Sequence, residues 1–396
     1  MIYEQEYLLH LLSSSVNNIR PDNPEKDINW QTLRKIAEEQ KILPLIYDTV
    51  AKLEKTGPDA ETMKKWQDET LFCAYFFTMQ NEQFYSVFRA AEEKGVDMLL
   101  LKGVVLKDLY PVPELRTMSD CDIIIKKEQL EEVKEVFASE GYTIAKELEN
   151  AVEFEKKGSL KFELSYSLFS FVKSKKEFNI NIWENIAPVI GNHIVKLSDE
   201  NSFIYSIVHL AKHIMHKGAG IRNLVDIVLL AKQKDLDWSY IIKQMKLLNI
   251  EKFFYGIMKV SEENFGLPRY FEHPDVDDDI LNKLIGFMMS NGIYGATDNI
   301  FIYDVRNSEG SKLRRRLNYI ERIFPPREKL TERYSYAKKY PVLISVAWIH
   351  RLFKVIFVDK FSVKKGLNSI KTASLTATKQ IEILDYFNIN YYIDEE

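Results

Sequence analysis

Cysteine is almost missing from this chain: among 396 residues only Cys73 and Cys121 carry a thiol. Cys121 stands between Asp120 and Asp122, an awkward place for a disulfide, so a stapled secreted scaffold is disfavoured and a reducing cytoplasm is the expected compartment. Long apolar runs are missing as well. The longest, around Pro341 to Ile349, falls far short of the roughly 20 residues that a membrane span requires. The opening MIYEQEYLLHLLSSS carries Glu4 and Glu6 where a secretory peptide carries Lys or Arg, so it is expected to form a helix and not a signal sequence. Nor is there a basic excess: 54 Lys and Arg against 58 Asp and Glu give a net charge of −4, which disfavours a surface built to grip nucleic acid. The chain also lacks a Gly-x4-Gly-Lys-Ser/Thr phosphate loop, a solenoid period and low-complexity tracts. P-loop NTPases, repeat arrays and disordered tails therefore drop out, and function is expected in a pocket.

What the chain does have is apolar and aromatic mass. Hydrophobic residues make up 46% of it, and 23 Phe, 21 Tyr and 5 Trp provide more burial than a disordered chain carries. The length predicts two or three packed regions. Residues 1–94 show helical spacing, with Leu8, Leu11 and Leu12 on one stripe and an aromatic-rich run from Trp66 to Ala91. The breaker Thr56-Gly57-Pro58-Asp59 divides this region, and Asp59 is placed to cap a helix beginning near Ala60. The aromatic stripe from Phe72 to Phe88 reads as core.

From Gly95 the period changes. Val96 to Leu101 has strand length, Gly103 to Tyr110 resumes helical spacing, and Cys121 to Ile125 is a second strand. Glu128 to Ser139 follows as an amphipathic helix with Leu130, Val133, Val136 and Phe137 inward, ended by Gly141. Extended runs Tyr142 to Glu155 and Leu160 to Leu168 flank Lys156-Lys157-Gly158-Ser159, a hairpin composition. Helical spacing returns near Ser198. The expected layout is a helical region at 1–94, an α/β core at 95–197 and a mainly helical region at 198–396.

The chemistry concentrates in Leu99 to Tyr110 and Arg116 to Ile125. Asp120 and Asp122 stand two apart at the mouth of an apolar strand, so both side chains leave the same face. Asp-x-Asp is also common in capped loops, but the isoleucine run behind this pair makes it strand-borne. Two aligned carboxylates suit Mg2+, which takes few protein ligands and completes its shell with water and phosphate oxygens. Glu163, in Leu160-Lys-Phe-Glu-Leu164, falls on the polar face of its strand. If that strand lies beside the one bearing Asp120, Glu163 joins the metal site or accepts a proton. Arg116 is close enough in sequence to reach a phosphate.

A strand, a glycine-containing turn, a helix and an acidic pair on the next strand, with a third acid later, resemble the DNA polymerase β-like nucleotidyltransferases. More narrowly, Leu101-Lys102-Gly103, Tyr110-Pro111, Arg116 and Ser119-Asp120-Cys121-Asp122-Ile123 resemble a bacterial family of uncharacterised nucleotidyltransferases. So do Glu163-Leu164-Ser165-Tyr166, His209-Leu-Ala-Lys-His213, Arg222-Asn-Leu-Val-Asp226, Phe324-Pro325-Pro326 and Trp348-Ile-His-Arg351. The resemblance implies an α+β fold, a small mixed-sheet core flanked by helical regions. It implies transfer of an NMP, AMP by expectation, from an NTP to a hydroxyl or other nucleophile of an unknown small-molecule or protein acceptor, with release of pyrophosphate. Asp120, Asp122 and Glu163 would be the catalytic and metal-binding residues; Lys102, Gly103, Arg116, Ser119, Lys212 and Arg222 would face the nucleotide; Mg2+ and ATP would be cofactor and co-substrate.

Two departures support an alternative, a weakened nucleotide-binding or scaffold protein that keeps the fold: Val104 follows the turn glycine where the superfamily has Ser or Gly, and Ser165 replaces a histidine. Transfer of a γ-phosphate is a third reading. His209, His213 and His216 share a helical face but lack the accompanying ligands of a zinc site, so a packed cluster is expected. Arg222 reads equally as a ligand contact or a salt bridge, and Asp226 as a salt bridge. Asp275 to Asp279 lacks the glycine and glutamate of a calcium loop and reads as surface, as does the basic run Lys312 to Arg316.

Overall fold

A 35-residue helix governs the architecture. Asp59 caps it, its carboxylate accepting the N–H of Thr62 at 2.8 Å, and the helix runs from Ala60 to Lys94 until Gly95 ends it in the left-handed conformation at φ 72°. The computed structural model describes residues 1–53, 57–168, 182–216, 219–291, 325–327, 330, 334–353 and 378–389. Residues 1–294 with 384–396 form one compact unit and residues 295–383 another.

The first unit opens with α1 (Tyr3–Val16), α2 (Trp30–Glu39), α3 (Leu43–Ala51) and the long α4 (Ala60–Lys94). Then come β1 (Met98–Leu100), α5 (Gly103–Leu106), β2 (Asp120–Ile125), α6 (Leu130–Ser139), β3 (Thr143–Glu147), β4 (Ala151–Glu155), β5 (Lys161–Ser165), β6 (Ile186–Ile190) and β7 (Ile194–Leu197). Helices α7 (Asp199–His216), α8 (Ile221–Ala231), α9 (Trp238–Leu247), α10 (Glu251–Phe265) and α11 (Asp278–Asn291) follow. The strands form one mixed seven-stranded sheet in the order β3-β4-β5-β2-β1-β7-β6. The fold is thus α+β, a mixed sheet flanked by helices.

Alternation along the strands divides the core in two. Met98, Leu100, Cys121, Ile123, Ile125, Phe162 and Leu164 pack beneath α4 and α6, against Phe84, Phe88, Val133 and Phe137. Leu99, Leu101, Ile124, Val195 and Leu197 point the other way and meet Tyr205 of α7. Because the side-chain period is two, Asp120 and Asp122 share this second face with Ile124. At the β4–β5 hairpin, Gly158 supplies the positive φ of 79° that the tight turn demands.

Three sequence expectations change. Tyr142 to Glu155 is two antiparallel strands and not one run, since the chain reverses between Glu147 and Ala151. The strands β6 and β7 fall where no strand was anticipated, in a stretch broken by Pro188 and Gly191. The aromatic stripe on α4 is core only in its second half: Phe77, Phe84 and Phe88 are buried, whereas Phe72 and Tyr75 are each 65% exposed. Among the described residues no helix is long and apolar enough to cross a membrane.

The second unit contains α12 (Ser335–Lys339) and α13 (Ile344–Phe353). Leu330, Tyr334, Ala337 and Ala347 form its small core, and the indole of Trp348 donates to the carbonyl of Pro325 at 2.9 Å. The run Lys312 to Arg316 and Phe324 lie outside the described residues.

Candidate active site

The acids meet through strand register. Strand β2 pairs in parallel with β5 so that Asp122 stands opposite Glu163 and Asp120 opposite Lys161. Opposed residues on parallel neighbours project from the same face, so Asp120, Asp122 and Glu163 all project from the α7 side of the sheet. Cys121 and Phe162, one residue out of phase, go into the opposite core. Ser119 donates its hydroxyl to Asp120 Oδ1 at 3.1 Å.

Strand β1 brings the other component. The N–H of Leu101 donates to the carbonyl of Asp122 at 3.1 Å, and the chain turns sharply at Lys102 before α5. The Lys102 ammonium lies 2.6 Å from Asp122 Oδ1. Burial works against charge on Lys102, but Asp122 outweighs it and the ammonium is held protonated. Burial, with the charge of Asp120, pushes the Asp122 carboxyl up despite the pull of Lys102. Burial, then Asp122 and Asp120, raises Glu163 in the same way. Three carboxylates and one ammonium make a cluster short of positive charge.

Gly103 is needed for close approach. A Cβ there would lie 2.6 Å from Arg116 Nη1 and 2.9 Å from Met118 Sδ. Arg116 cannot easily give way, because its Nε and Nη2 donate to the two oxygens of Asp226 at 2.9 and 2.8 Å, and Tyr110 Oη donates to Asp226 Oδ1 at 2.6 Å. Arg116 is 4% exposed. The sequence placed Arg116 on a phosphate; the structure engages its guanidinium with Asp226, on the rim of the same cavity. Arg222 Nη1 donates to the carbonyl and hydroxyl oxygens of Thr117 at 2.8 and 2.9 Å. These contacts pin the loop before β2 onto α8.

Sheet, loop, α7 and α8 enclose a cavity of about 670 Å³, lined by Lys102, Gly103, Ser119 and the three acids on one side. Opposite them stand Tyr205, His209, Lys212 and His213 of α7 and Arg222 of α8. The structure therefore brings all nine residues singled out from the sequence to one cavity. Tyr205 stacks on His209 at 5.6 Å between centroids, and His213 meets His209 edge-on at 4.3 Å. Burial and nearby Lys102 keep His209 neutral, its pKa well below the usual imidazole range. The side chain of His216 lies outside the described residues. Tyr205, Ser206 and Asn223 also line the cavity and were not anticipated, although Tyr205 precedes His209 by one helical turn.

Among the described residues no three His, Cys, Asp or Glu side chains are gathered closely enough to cage a metal ion. Magnesium seldom uses such a cage, binding instead through one or two carboxylates plus phosphates, and the hard oxygens of Asp120 and Asp122 fit that mode.

A family model described as "Uncharacterised nucleotidyltransferase" matches residues 26–266, well over half of the chain. No curated protein matches. Among solved structures, a solution structure of the antibiotic-resistance factor ANT(2'')-Ia aligns with 13% identity and a TM-score of 0.32, covering 48% of this chain and 98% of that one. A crystal structure of ANT(2'')-Ia in complex with adenylyl-2''-tobramycin aligns with 13% identity and a TM-score of 0.26, covering 48% and 97%. Likeness at these scores is too slight to carry substrate or mechanism across.

Proposed function

We propose, on the premise that this chain belongs to the uncharacterised nucleotidyltransferase family whose model it matches, that it transfers an NMP, AMP by preference, from a magnesium–NTP complex to a nucleophilic acceptor with release of pyrophosphate. The observation that carries this reading is the register that sets Asp122 beside Glu163, with Asp120 on the same face, at the mouth of a cavity large enough for a nucleotide.

Asp120 and Asp122 would hold magnesium, which would supply positive charge to offset that of the phosphates. Lys102 and Lys212 line the same cavity and would contact the triphosphate, with Arg222 bonded to Thr117 in the loop before β2. Glu163 takes the proton of an acceptor hydroxyl as its oxygen forms a bond to the α-phosphorus and the bond from that phosphorus to the β-phosphate oxygen breaks. Burial and the charges of Asp122 and Asp120 raise its pKa, which makes it a stronger base than a free carboxylate. Asp226, neutralised by Arg116, takes no part in the chemistry and fixes the loop.

Titrating a non-hydrolysable ATP analogue with magnesium into wild type and an Asp120→Asn/Asp122→Asn variant by calorimetry tests the site. Magnesium-dependent binding that the variant loses is the expected result. No nucleotide binding by folded wild type would sink the proposal. Binding without pyrophosphate release across an acceptor screen would favour the scaffold reading, and ADP as product would mark γ-phosphate transfer.

A further inference from the structure

Lys102 adopts a backbone conformation that suits glycine. Its φ of 51° and ψ of −124° lie where a side chain is strained, and Gly103, the next residue, is not the one that takes this conformation. The strain is locked in from both sides. Leu101 is tied to Asp122 through its N–H, and the carbonyl of Lys102 accepts the N–H groups of Val105 at 3.0 Å and Leu106 at 2.7 Å. The result is an ammonium aimed at Asp122 Oδ1, 2.6 Å away, with both side chains mostly buried at 27% and 16% exposure. A divalent ion on the same oxygen would sit against the ammonium, and like charges at such separation repel strongly where water is scarce. A bare ion that displaced Lys102 would leave the ammonium partly buried without a partner. An ion arriving with a triphosphate brings that partner, and the cavity of about 670 Å³ leaves the lysine room to swing.

We propose that Lys102 is a built-in counter-ion that closes the acidic seat to a bare divalent cation and yields it only to a cation carrying a triphosphate, onto which the ammonium transfers. This rests on the reading of Asp120 and Asp122 as a metal seat and adds an order of binding: metal and nucleotide enter together. The strained turn acts as the spring that keeps the lysine on Asp122 until a phosphate competes for it.

The test uses Mn2+ as a spectroscopic probe of the metal alone. Free Mn2+ is followed by electron paramagnetic resonance with full-length wild type, Lys102→Met and Lys102→Gly, first without nucleotide and then with a non-hydrolysable ATP analogue. Wild type is expected to take up little Mn2+ alone. Both variants should bind it at least about tenfold more tightly, and Mn2+ alone should raise their thermal midpoints but not that of wild type. Lys102→Gly guards against misfolding, since glycine is at ease in this backbone. Tight uptake of Mn2+ by wild type without nucleotide, or variants that bind it no better, would overturn the counter-ion role. If wild type nevertheless binds Mn2+ with the analogue in an Asp122-dependent manner, the metal seat survives that failure; if it does not, the nucleotidyl-transfer reading falls as well.

Discussion

Replacing Asp226 by alanine should be far more damaging than its distance in sequence from the acids suggests. Asp226 accepts three hydrogen bonds, two from Arg116 at 2.9 and 2.8 Å and one from Tyr110 at 2.6 Å, with the Arg116 and Asp226 side chains only 5% and 9% exposed. Removing one partner of such a pair strands a buried guanidinium and costs about 3–5 kcal/mol. For units of 150–250 residues each kcal/mol shifts the melting point by about 2–4 °C, and the larger size of this unit puts it at the low end, so the expected fall is roughly 6–10 °C. Urea unfolding followed by tryptophan fluorescence supplies the free energy and differential scanning calorimetry the midpoint. The paired variant Arg116→Met/Asp226→Leu removes both charges and should recover more than half of the loss, leaving mainly the cost of the orphaned Tyr110 hydroxyl. Since Arg116 packs against Gly103, Asp226→Ala should also weaken magnesium–nucleotide binding at temperatures where it is folded. A loss below about 1 kcal/mol, as for an exposed ion pair, or a double variant as unstable as the single, would refute the reasoning.

Gly103→Ala should destabilise by about 1–3 kcal/mol, because its methyl would press on Arg116 and Met118; chemical denaturation measures this, and an unchanged midpoint would show that the turn has slack. Glu163→Gln should still bind the magnesium–nucleotide complex in calorimetry yet lower pyrophosphate release by about 10²–10⁴-fold, while an undiminished rate would remove Glu163 as the base. Asp97 has its pKa lowered: burial pushes it up, but hydrogen bonds from Lys126 at 2.6 Å and His193 at 2.7 Å prevail. A depressed carboxylate stabilises above its unfolded value, about 3.9, and that stability is lost as pH falls through the folded value. Asp97→Asn should therefore be less stable than wild type at pH 7, with the gap closing as pH drops below about 3.9; urea midpoints that differ equally at pH 7 and pH 3 would contradict this.

How much of this could be seen in the sequence depended on whether its cause was local. The β1 turn, the isoleucine-backed β2 and the Lys156 to Ser159 hairpin each carry their signal within a few residues. Asp59 likewise announces the start of α4. The break between β3 and β4 at Leu148-Glu149-Asn150 has no glycine or proline to mark it, and β3 is an exposed edge strand without alternation. Strand β7 depends on a partner about 90 residues earlier, β1, and the turn that leads into it on Glu92, which accepts the N–H groups of Asn192 and His193. In the site, the spacing of Asp120 and Asp122 is legible in sequence, but the Lys102 contact needs the turn geometry. The pairing of Arg116 with Asp226 spans 110 positions and leaves no local trace. Helical spacing on α4 identified a helix, yet it did not separate the buried Phe77, Phe84 and Phe88 from the exposed Phe72 and Tyr75.

Strand register places the three acids, and Cys121, Ile123, Phe162 and Leu164, buried on the opposite face of β2 and β5, fix that register. The facing wall belongs to α7 and α8, whose side chains enter the cavity without contributing to the ladder. Substitutions at Tyr205, Ser206, His209, His213 or Asn223 can therefore reshape that wall of the cavity while the acidic corner keeps its form.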